Sequence, residues 1–326
     1  MKNQTNWQNE LKSLLRSPQQ LADFLGISIK KWPQVWENNT SFPLLLTRHF
    51  AKKIDPENNS DPLLLQILPT KSENTLQNNF CSDPVGDLNA VQKPGILQKY
   101  HGRALIMPTA TCALNCRHCF RRNFPYADQK ANNLPQNLKE WLQNQANISE
   151  IILSGGDPLL ASNQQLAEIF KVLKDSSVKK VRIHTRLVTV LPQRFDQNFW
   201  KTLDILPQKI ILVNHINHAQ ELDADSLTIF GKMREKGIFL LNQSVLLKGI
   251  NDNSKVLAEL SEALLSQGVL PYYLHQLDRA QGTQGFEVDT TTALKIMDKL
   301  RQILPGYLVP KFVQEVAGLA YKQPLF

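Results

Sequence analysis

The stretch Thr111-Cys-Ala-Leu-Asn-Cys-Arg-His-Cys-Phe120 places Cys112, Cys116 and Cys119 at C-x3-C-x2-C spacing. Closely spaced thiolates of this kind are typical ligands of iron–sulfur clusters. Three of them would bind three irons of a [4Fe–4S] cube and leave the fourth iron open to a small molecule. A structural zinc site would need a fourth ligand, and His118 lies too close to Cys119 for easy tetrahedral closure. Three buried structural cysteines are the simplest alternative.

The composition argues against a membrane, secreted or disulfide-stapled protein. The 326 residues are 42% hydrophobic and 20% charged, and no apolar run reaches transmembrane length. The polar N-terminus lacks the apolar core of a signal peptide. Three of the four cysteines share one motif, so they do not form a disulfide framework, and we expect a cytoplasmic location in a reducing compartment.

A formal net charge of +8 is compatible with an acidic partner such as nucleic acid. The basic residues are dispersed, however, and the sequence carries no Lys/Arg block and no RNA-binding signature. We therefore expect an enzyme with a basic surface and no direct nucleic-acid partner, with tRNA binding as the alternative.

Short apolar runs alternate with amphipathic stretches from residue 103 onward. The apolar runs are Ala104–Met107, Ile151–Leu153, Val181–Ile183, Ile210–Val213, Ile238–Leu247 and Leu270–Leu274. The amphipathic stretches lie near residues 135–146, 163–174, 223–236, 253–267 and 290–303. This alternation predicts an α/β fold in which helices wrap a parallel sheet. We expect a partial (β/α)6 barrel, because residues 103–326 are too few for eight units.

The first hundred residues have a different character. Apolar residues recur at helical spacing from Trp7 to Leu15, so residues 1–60 are predicted to be mainly helical, and a polar, loop-rich segment follows. We expect two domains: an N-terminal helical and mixed extension over residues 1–100, and the barrel over residues 101–326.

Polar side chains lie in or just after each of the six predicted strands. The groups are Cys112–Cys119, Ser154–Pro158, His184–Arg186, Asn214–His215, Asn242–Gln243 and His275–Asp278. In barrels of this kind the chemistry gathers at the C-terminal ends of the strands. The sequence therefore predicts a ring of polar groups around one cavity.

The segment Ser154-Gly155-Gly156-Asp157-Pro158 follows the second predicted strand, and its glycine pair would let the backbone approach a ligand closely. Together with the cysteines it resembles the signature of radical S-adenosylmethionine (SAM) enzymes, whose open iron binds SAM. Longer segments resemble the lysine 2,3-aminomutase family, and most of all its shorter branch, which acts in elongation factor P modification. These segments are Asp61–Pro69, Ser82–Asp87, Lys99–Arg103, Cys119–Tyr126, Ile151–Leu159, Asn242–Asp252 and Pro271–Asp278.

The resemblance implies three cofactors: a [4Fe–4S] cluster on the three cysteines, SAM, and pyridoxal 5′-phosphate (PLP). PLP needs a lysine for its Schiff base; Lys322 matches that lysine, and Arg103 and Lys99 match positions that bind the PLP phosphate. The positions that match SAM-binding residues are Gly155, Gly156, Asp157, His215 and Gln243. The simpler alternatives are a solvated lysine, surface cations, and a strand-end histidine bonded within the fold.

The substrate that the resemblance implies is L-lysine, which carries charge at both ends. Arg121 matches the residue that pairs with the α-carboxylate, and Asp278 and Glu315 match two carboxylates that hold the distant ammonium. Relatives commonly have Asp where this chain has Glu315, and the single Gly318 precedes Lys322 where longer aminomutases have a run of glycines. Surface acids in loops are the alternative for both carboxylates.

The implied activity is that of an isomerase, which converts L-α-lysine to (R)-β-lysine and draws on an external electron donor. The product would pass to a ligase that acts on elongation factor P. A homo-oligomer is one option for the assembly. The main alternative is a radical SAM enzyme of another kind, which modifies RNA or protein without PLP, and a non-enzymatic zinc or iron–sulfur module is a further one.

Overall fold

Runs of isoleucine, valine and leucine form the central sheet, as expected for parallel strands covered on both faces. The computed structural model describes residues 7–32, 35, 42–75, 77–128 and 133–326. The strands within these ranges are β1 (Val91–Lys93), β2 (Ile96–Leu97), β3 (Arg103–Thr109), β4 (Glu150–Gly155), β5 (Lys180–Thr185), β6 (Lys209–His215), β7 (Phe239–Val245), β8 (Leu270–His275), β9 (Lys311–Gln314) and β10 (Gln323–Pro324).

The strands follow one another across the sheet in chain order. All pairings from β3 to β9 are parallel, so six strand–helix units and a closing strand make an open, partial barrel. The strands β1 and β2 add an antiparallel edge beside β3, and β10 pairs antiparallel with β9. These pairings confirm the predicted α/β partial barrel and its six strands. The pattern analysis missed β9, because its four residues are too few to show a period.

Helices cover the outside of the sheet. Those in the described ranges are α1 (Trp7–Lys12), α2 (Pro18–Leu25), α3 (Arg48–Ala51), α4 (Pro62–Leu65), α5 (Leu134–Gln143), α6 (Asn163–Lys174), α7 (Leu187–Val190), α8 (Gln197–Leu203), α9 (Ala224–Glu235), α10 (Ser254–Ser266) and α11 (Thr290–Ile303). The sequence pattern missed α7 because all four of its residues are buried, which leaves no polar face to read. No helix among the described residues is both long and apolar enough to cross a bilayer.

The N-terminal region holds only short helices in its described part. Since α1 ends at Lys12, Leu15 lies beyond it and pairs with Leu46 in an isolated bridge. The prediction of helix for residues 1–60 thus holds for short segments, and its residues 1–6, 33–34 and 36–41 lie outside the described ranges. The domain boundary near residue 100 stays a prediction.

The N-terminal region and the barrel share one apolar core, which contains Leu44 and Phe50 as well as Ile151 and Val181. Backbone hydrogen bonds also hold the loop that carries the cysteines. The amide of Asn115 donates to the carbonyl oxygen of Leu45 at 2.9 Å. The amide of Arg117 donates to the carbonyl oxygen of Gln66 at 2.8 Å.

A buried carboxylate strengthens this attachment. Glu73 forms ion pairs with Arg117 and Arg122, the second at 2.7 Å, and the Arg117 side chain is fully buried. Removing a carboxylate from such a group leaves buried guanidinium charges without compensation, which is more costly than losing an exposed ion pair.

We therefore expect Glu73→Ala to lower the free energy of unfolding by roughly 3–5 kcal/mol, measured by thermal or urea unfolding. The control is Glu140→Ala, which removes an exposed partner of Lys93 and should leave the unfolding midpoint almost unchanged. Equal destabilisation by the two variants would contradict this account of the loop.

Candidate active site

A cavity of about 490 Å³ lies inside the open barrel, between side chains of the parallel strands and the loops that follow them. Every residue that the sequence analysis assigned to a site lines this cavity. The set is Lys99, Arg103, Cys112, Cys116, Cys119, Arg121, Gly155, Gly156, Asp157, His215, Gln243, Asp278, Glu315 and Lys322. The predicted ring of polar groups is therefore present, and it surrounds one space.

The three cysteines lie in the loop between β3 and α5, and none forms a disulfide. Burial raises the pKa of the Cys112 thiol, and it raises that of Cys119 to about 11; neighbouring thiols add to both shifts. Such thiols ionise more readily beside positive charge, which the irons of a cluster would supply. Among the described residues, no three His, Cys, Asp or Glu groups are placed to share a single metal ion. Three thiols on one loop are nevertheless the donor type that iron–sulfur clusters use.

The glycine pair after β4 packs against the cysteine loop. A Cβ atom on Gly156 would lie 2.5 Å from the carbonyl oxygen of Thr111, and Gly155 has a φ of +109°. The amide of Asp157 donates to the same Thr111 oxygen at 2.8 Å. Packing against Thr111, the residue before Cys112, therefore requires Gly156, and the positive φ of Gly155 favours glycine there, whether or not a ligand approaches them.

The carboxylate of Asp157 is fully engaged within the fold. It accepts hydrogen bonds from the Thr185 hydroxyl at 2.8 and 2.9 Å, and from the backbone amides of Arg186 and Leu159 at 2.8 and 3.2 Å. Burial raises its pKa to about 6. Asp157 thus joins the turn after β4 to the end of β5, and this role shapes the cavity rather than presenting a free carboxylate to it.

Two stacked imidazoles form one wall beside the cysteines. The rings of His118 and His215 have centroids 5.4 Å apart and an interplanar angle of 19°, and their Nε2 atoms are 3.1 Å apart. Burial lowers the pKa of both rings, that of His215 to about 3. His215 and Gln243 are neighbours in the parallel register of β6 and β7. These residues therefore present a flat, uncharged surface with an amide at its edge.

Glu315 and Lys322 meet at the loop end of the β9–β10 hairpin. The register pairs Gln314 with Gln323, which sets the two adjoining residues opposite each other. The Nζ atom of Lys322 forms an ion pair with a Glu315 carboxylate oxygen. Glu315 and Lys322 are thus the first and last residues of the loop between the two strands, seven positions apart in the sequence.

This ion pair is one end of a chain of charges that alternate in sign. The Lys99 Nζ atom lies 3.3 Å from Glu315 Oε1 and 2.7 Å from Asp87 Oδ1. The second carboxylate oxygen of Asp87, Oδ2, accepts a hydrogen bond from Arg121 Nε at 2.6 Å. Burial alone would raise the pKa of Asp87, but Arg121 and Lys99 outweigh it and hold the pKa at about 2. The Lys322 and Lys99 ammonium groups likewise outweigh burial and lower the pKa of Glu315.

The two cations predicted to bind a phosphate differ in their surroundings. Lys99 is compensated by the carboxylates of Asp87 and Glu315. Arg103 begins β3 and is exposed. Its guanidinium carbon lies 5.5 Å from the centroid of the Tyr100 ring, and its side chain joins no ion pair among the described residues. Arg103 is therefore the better placed of the two to accept an anionic ligand.

Asp278, just after β8, is the acid in the cavity that remains open to a cation. Its carboxyl group forms no hydrogen bond to the described part of the chain. Burial raises its pKa to about 7, against the opposing effect of the Lys322 ammonium. A cationic ligand beside it would lower the pKa and favour the carboxylate.

Sequence reasoning left some charged residues of the cavity without a role, among them Asp87 and Arg186. Asp87 ends the segment Ser82–Asp87 and organises Arg121 and Lys99. Arg186 ends the polar group after β5, and its guanidinium contacts the sulfur of Cys116 at 2.8 Å. The sequence signal for Asp87 was its place at the end of a family-like segment, and the signal for Arg186 was its place at the end of a strand. Neither position reveals which partner the side chain contacts.

Comparison with known proteins agrees with the fold and the site. A sequence model of the Radical SAM superfamily matches residues 106–260. The chain is 40% identical over 316 residues to the L-lysine 2,3-aminomutase of Buchnera aphidicola subsp. Baizongia pistaciae, which covers 96% of this chain and 93% of that protein. The proteins of the same name from Escherichia coli and Haemophilus influenzae are 39% and 38% identical, over 98% of this chain and 94% and 95% of theirs.

The open barrel, the cysteine loop and the superfamily match define a radical SAM protein. Within that class, the chain belongs to the lysine 2,3-aminomutase family.

Gly156→Ala tests the packing of the cysteine loop. The added methyl group would overlap the backbone of Thr111, so we expect a loss of roughly 1–3 kcal/mol in the free energy of unfolding. Gly306→Ala is the control, because no atom lies within 4 Å of the Cβ position there. Thermal unfolding of both variants measures the difference, and a Gly156→Ala protein as stable as its control would contradict the tight approach.

Asp278→Asn tests the acid whose pKa is raised. The pKa is about 7 in the folded protein and 3.8 in the reference state, so the folded state retains a proton that the unfolded state releases. Stability then falls as the pH rises from about 4 to 7. We expect the thermal midpoint of the variant to exceed that of the unsubstituted protein by an amount that grows over this range and is constant above it. The same change at exposed Asp204 should show no such growth, and a pH-independent difference at Asp278 would refute the shift.

Proposed function

We propose that this protein is a radical SAM, PLP-dependent lysine 2,3-aminomutase that converts L-α-lysine to (R)-β-lysine. The observation that carries the proposal is the convergence of three thiols, a lysine, and charged groups of both signs on one cavity. Membership of the lysine 2,3-aminomutase family supports the same activity.

The donor set suits each cofactor. Cys112, Cys116 and Cys119 would hold the cluster, while Lys322 and Arg103 would hold PLP. SAM would lie among Gly155, Gly156, His215 and Gln243, where the flat uncharged imidazole rings of His118 and His215 adjoin the cysteines. When bound, these groups would supply a 5′-deoxyadenosyl radical for hydrogen abstraction and an electron sink for moving the amino nitrogen.

Charge complementarity would orient lysine in the cavity. Arg121 is held by Asp87 and by the Ser154 hydroxyl at 3.2 Å, so its guanidinium is fixed before a carboxylate arrives. Asp278 would accept the distant ammonium and lose its own proton as that cation binds. Glu315, which already contacts Lys322 and Lys99, would add negative charge to the same end of the cavity.

Glu315 would also position Lys322. Its carboxylate contacts the Lys322 Nζ atom, and bonding of that nitrogen to the PLP aldehyde requires the neutral amine. The lysine would therefore have to leave this ion pair and lose its proton before it binds the cofactor.

We further propose that the protein works in the cytoplasm with an external electron donor, and that β-lysine passes to a ligase acting on elongation factor P. The support is the Cys119–Tyr126 segment, which resembles the shorter branch of the family. A coupled assay with such a ligase and elongation factor P tests it: modification should require this protein, and modification that proceeds equally without it would exclude this place in the sequence of reactions.

Anaerobic incubation with L-lysine, SAM, PLP and dithionite should yield β-lysine, which chiral amino-acid analysis detects. Lys322→Ala should abolish the product, and borohydride reduction should no longer trap a pyridoxyl mass on the peptide around residue 322. Lys311→Ala, an exposed lysine on β9, is the matched control and should retain both. A protein loaded with cluster and PLP that leaves lysine unchanged would refute the proposal.

A further inference from the structure

Arg186 is a buried cation that contacts a cluster cysteine and has no role in the proposed chemistry. We propose that Arg186 sets the reduction potential of the cluster through its hydrogen bond to the Cys116 sulfur, with Glu221 as the opposing charge that limits the effect. This inference rests on the proposed function, because it requires that the three cysteines hold a cluster.

The guanidinium of Arg186 contacts the sulfur of one cysteine directly. Arg186 is 8% exposed, and its Nη1 atom lies 2.8 Å from Cys116 Sγ. Within the described ranges, Cys116 is the one cluster cysteine whose sulfur accepts a hydrogen bond from a side chain, since no such bond reaches Cys112 or Cys119. The positive charge of Arg186 thus lies next to one of the three sulfur atoms proposed to bind the cluster.

The remaining guanidinium contacts hold Arg186 in place. Its Nη2 atom donates to Gln66 Oε1 at 2.6 Å and to Glu221 Oε2 at 3.0 Å, and its backbone amide donates to Asp157. Glu221 is fully buried and also accepts from the backbone amide of Asn217 at 2.9 Å. Arg186 is therefore fixed by the N-terminal region on one side and by the segment after β6 on the other.

Adding an electron to a cluster makes its irons and sulfurs more negative. Hydrogen bonds to the sulfurs and nearby net charge are the main levers on such a potential. The guanidinium of Arg186 therefore stabilises the reduced cluster and raises the potential, whereas the Glu221 carboxylate lowers it. The two residues act with opposite sign on one measurable quantity.

The test is a redox titration of the anaerobically reconstituted protein, followed by electron paramagnetic resonance of the reduced cluster. Arg186→Met should disfavour reduction by about tenfold or more, a shift of about 59 mV to more negative potential for one electron. Arg186→Lys, which keeps the charge, should restore part of the shift. Glu221→Gln should move the potential the other way, to more positive values.

Arg194→Met is the matched control. Arg194 is also fully buried and donates to the carbonyl oxygens of Leu159 and Ala161, but it does not line the cavity. Its loss should destabilise the protein and leave the cluster potential unchanged. This separates an electrostatic effect of Arg186 from the general consequence of removing a buried arginine.

The outcomes are distinguishable. Iron and sulfide analysis of the unsubstituted protein comes first, and absence of a cluster there would sink the proposed function as well. If the cluster forms but its potential is unchanged in Arg186→Met, the inference about Arg186 fails alone. If Arg186→Met takes up no cluster, Glu221→Gln decides: a shift to more positive potential supports the pairing, and no shift or a negative one overturns it.

Discussion

The compensation of buried charge is the constraint on which this site depends. An ion in a poorly solvated interior costs several kcal/mol unless an opposite charge and hydrogen bonds accompany it. The cavity meets this constraint with a chain in which Arg121, Asp87, Lys99, Glu315 and Lys322 alternate in sign. The same constraint shows where a ligand can bind, because the charged groups that the chain leaves open are the ones that gain from an ionic partner. Arg103, exposed at the start of β3, suits an anion, and the half-buried Asp278 suits a cation.

The N-terminal region is part of the site as well as a cover for the barrel. Backbone contacts from Leu45 and Gln66 hold the cysteine loop, and the Gln66 side chain reaches Arg186 beside Cys116. Contacts beyond the ligands themselves orient those ligands at a metal site. A cysteine loop attached only to β3 would lack that restraint. This gives a physical reason for the N-terminal region, which the barrel does not need to complete its strands and helices.

Pattern analysis succeeded where the physical signal is local. The six predicted strands and the cysteine loop depend on short apolar runs and on ligand spacing, and both are visible over a few residues. It missed α7, which is buried all round, and β9, which is too short to show a period. It explained Gly156 only by the approach of a ligand. The close contact with Thr111 becomes visible only when the turn after β4 is packed against the cysteine loop.

Spacing and periodicity are properties of the chain alone, so they predicted the class of fold, the three thiols proposed to hold a cluster and the residue types that surround the cavity. Tertiary structure decided which charges meet. The register of β9 and β10 places Glu315 on Lys322, and the fold carries Arg186 to a cysteine that is 70 residues away in the sequence. Lys99 and Arg103 are two cations four residues apart in the sequence. Lys99 forms ion pairs with Asp87 and Glu315, whereas Arg103 forms none with the described residues. Such differences arise from long-range packing, in which each partner comes from a segment that local patterns cannot relate to the other.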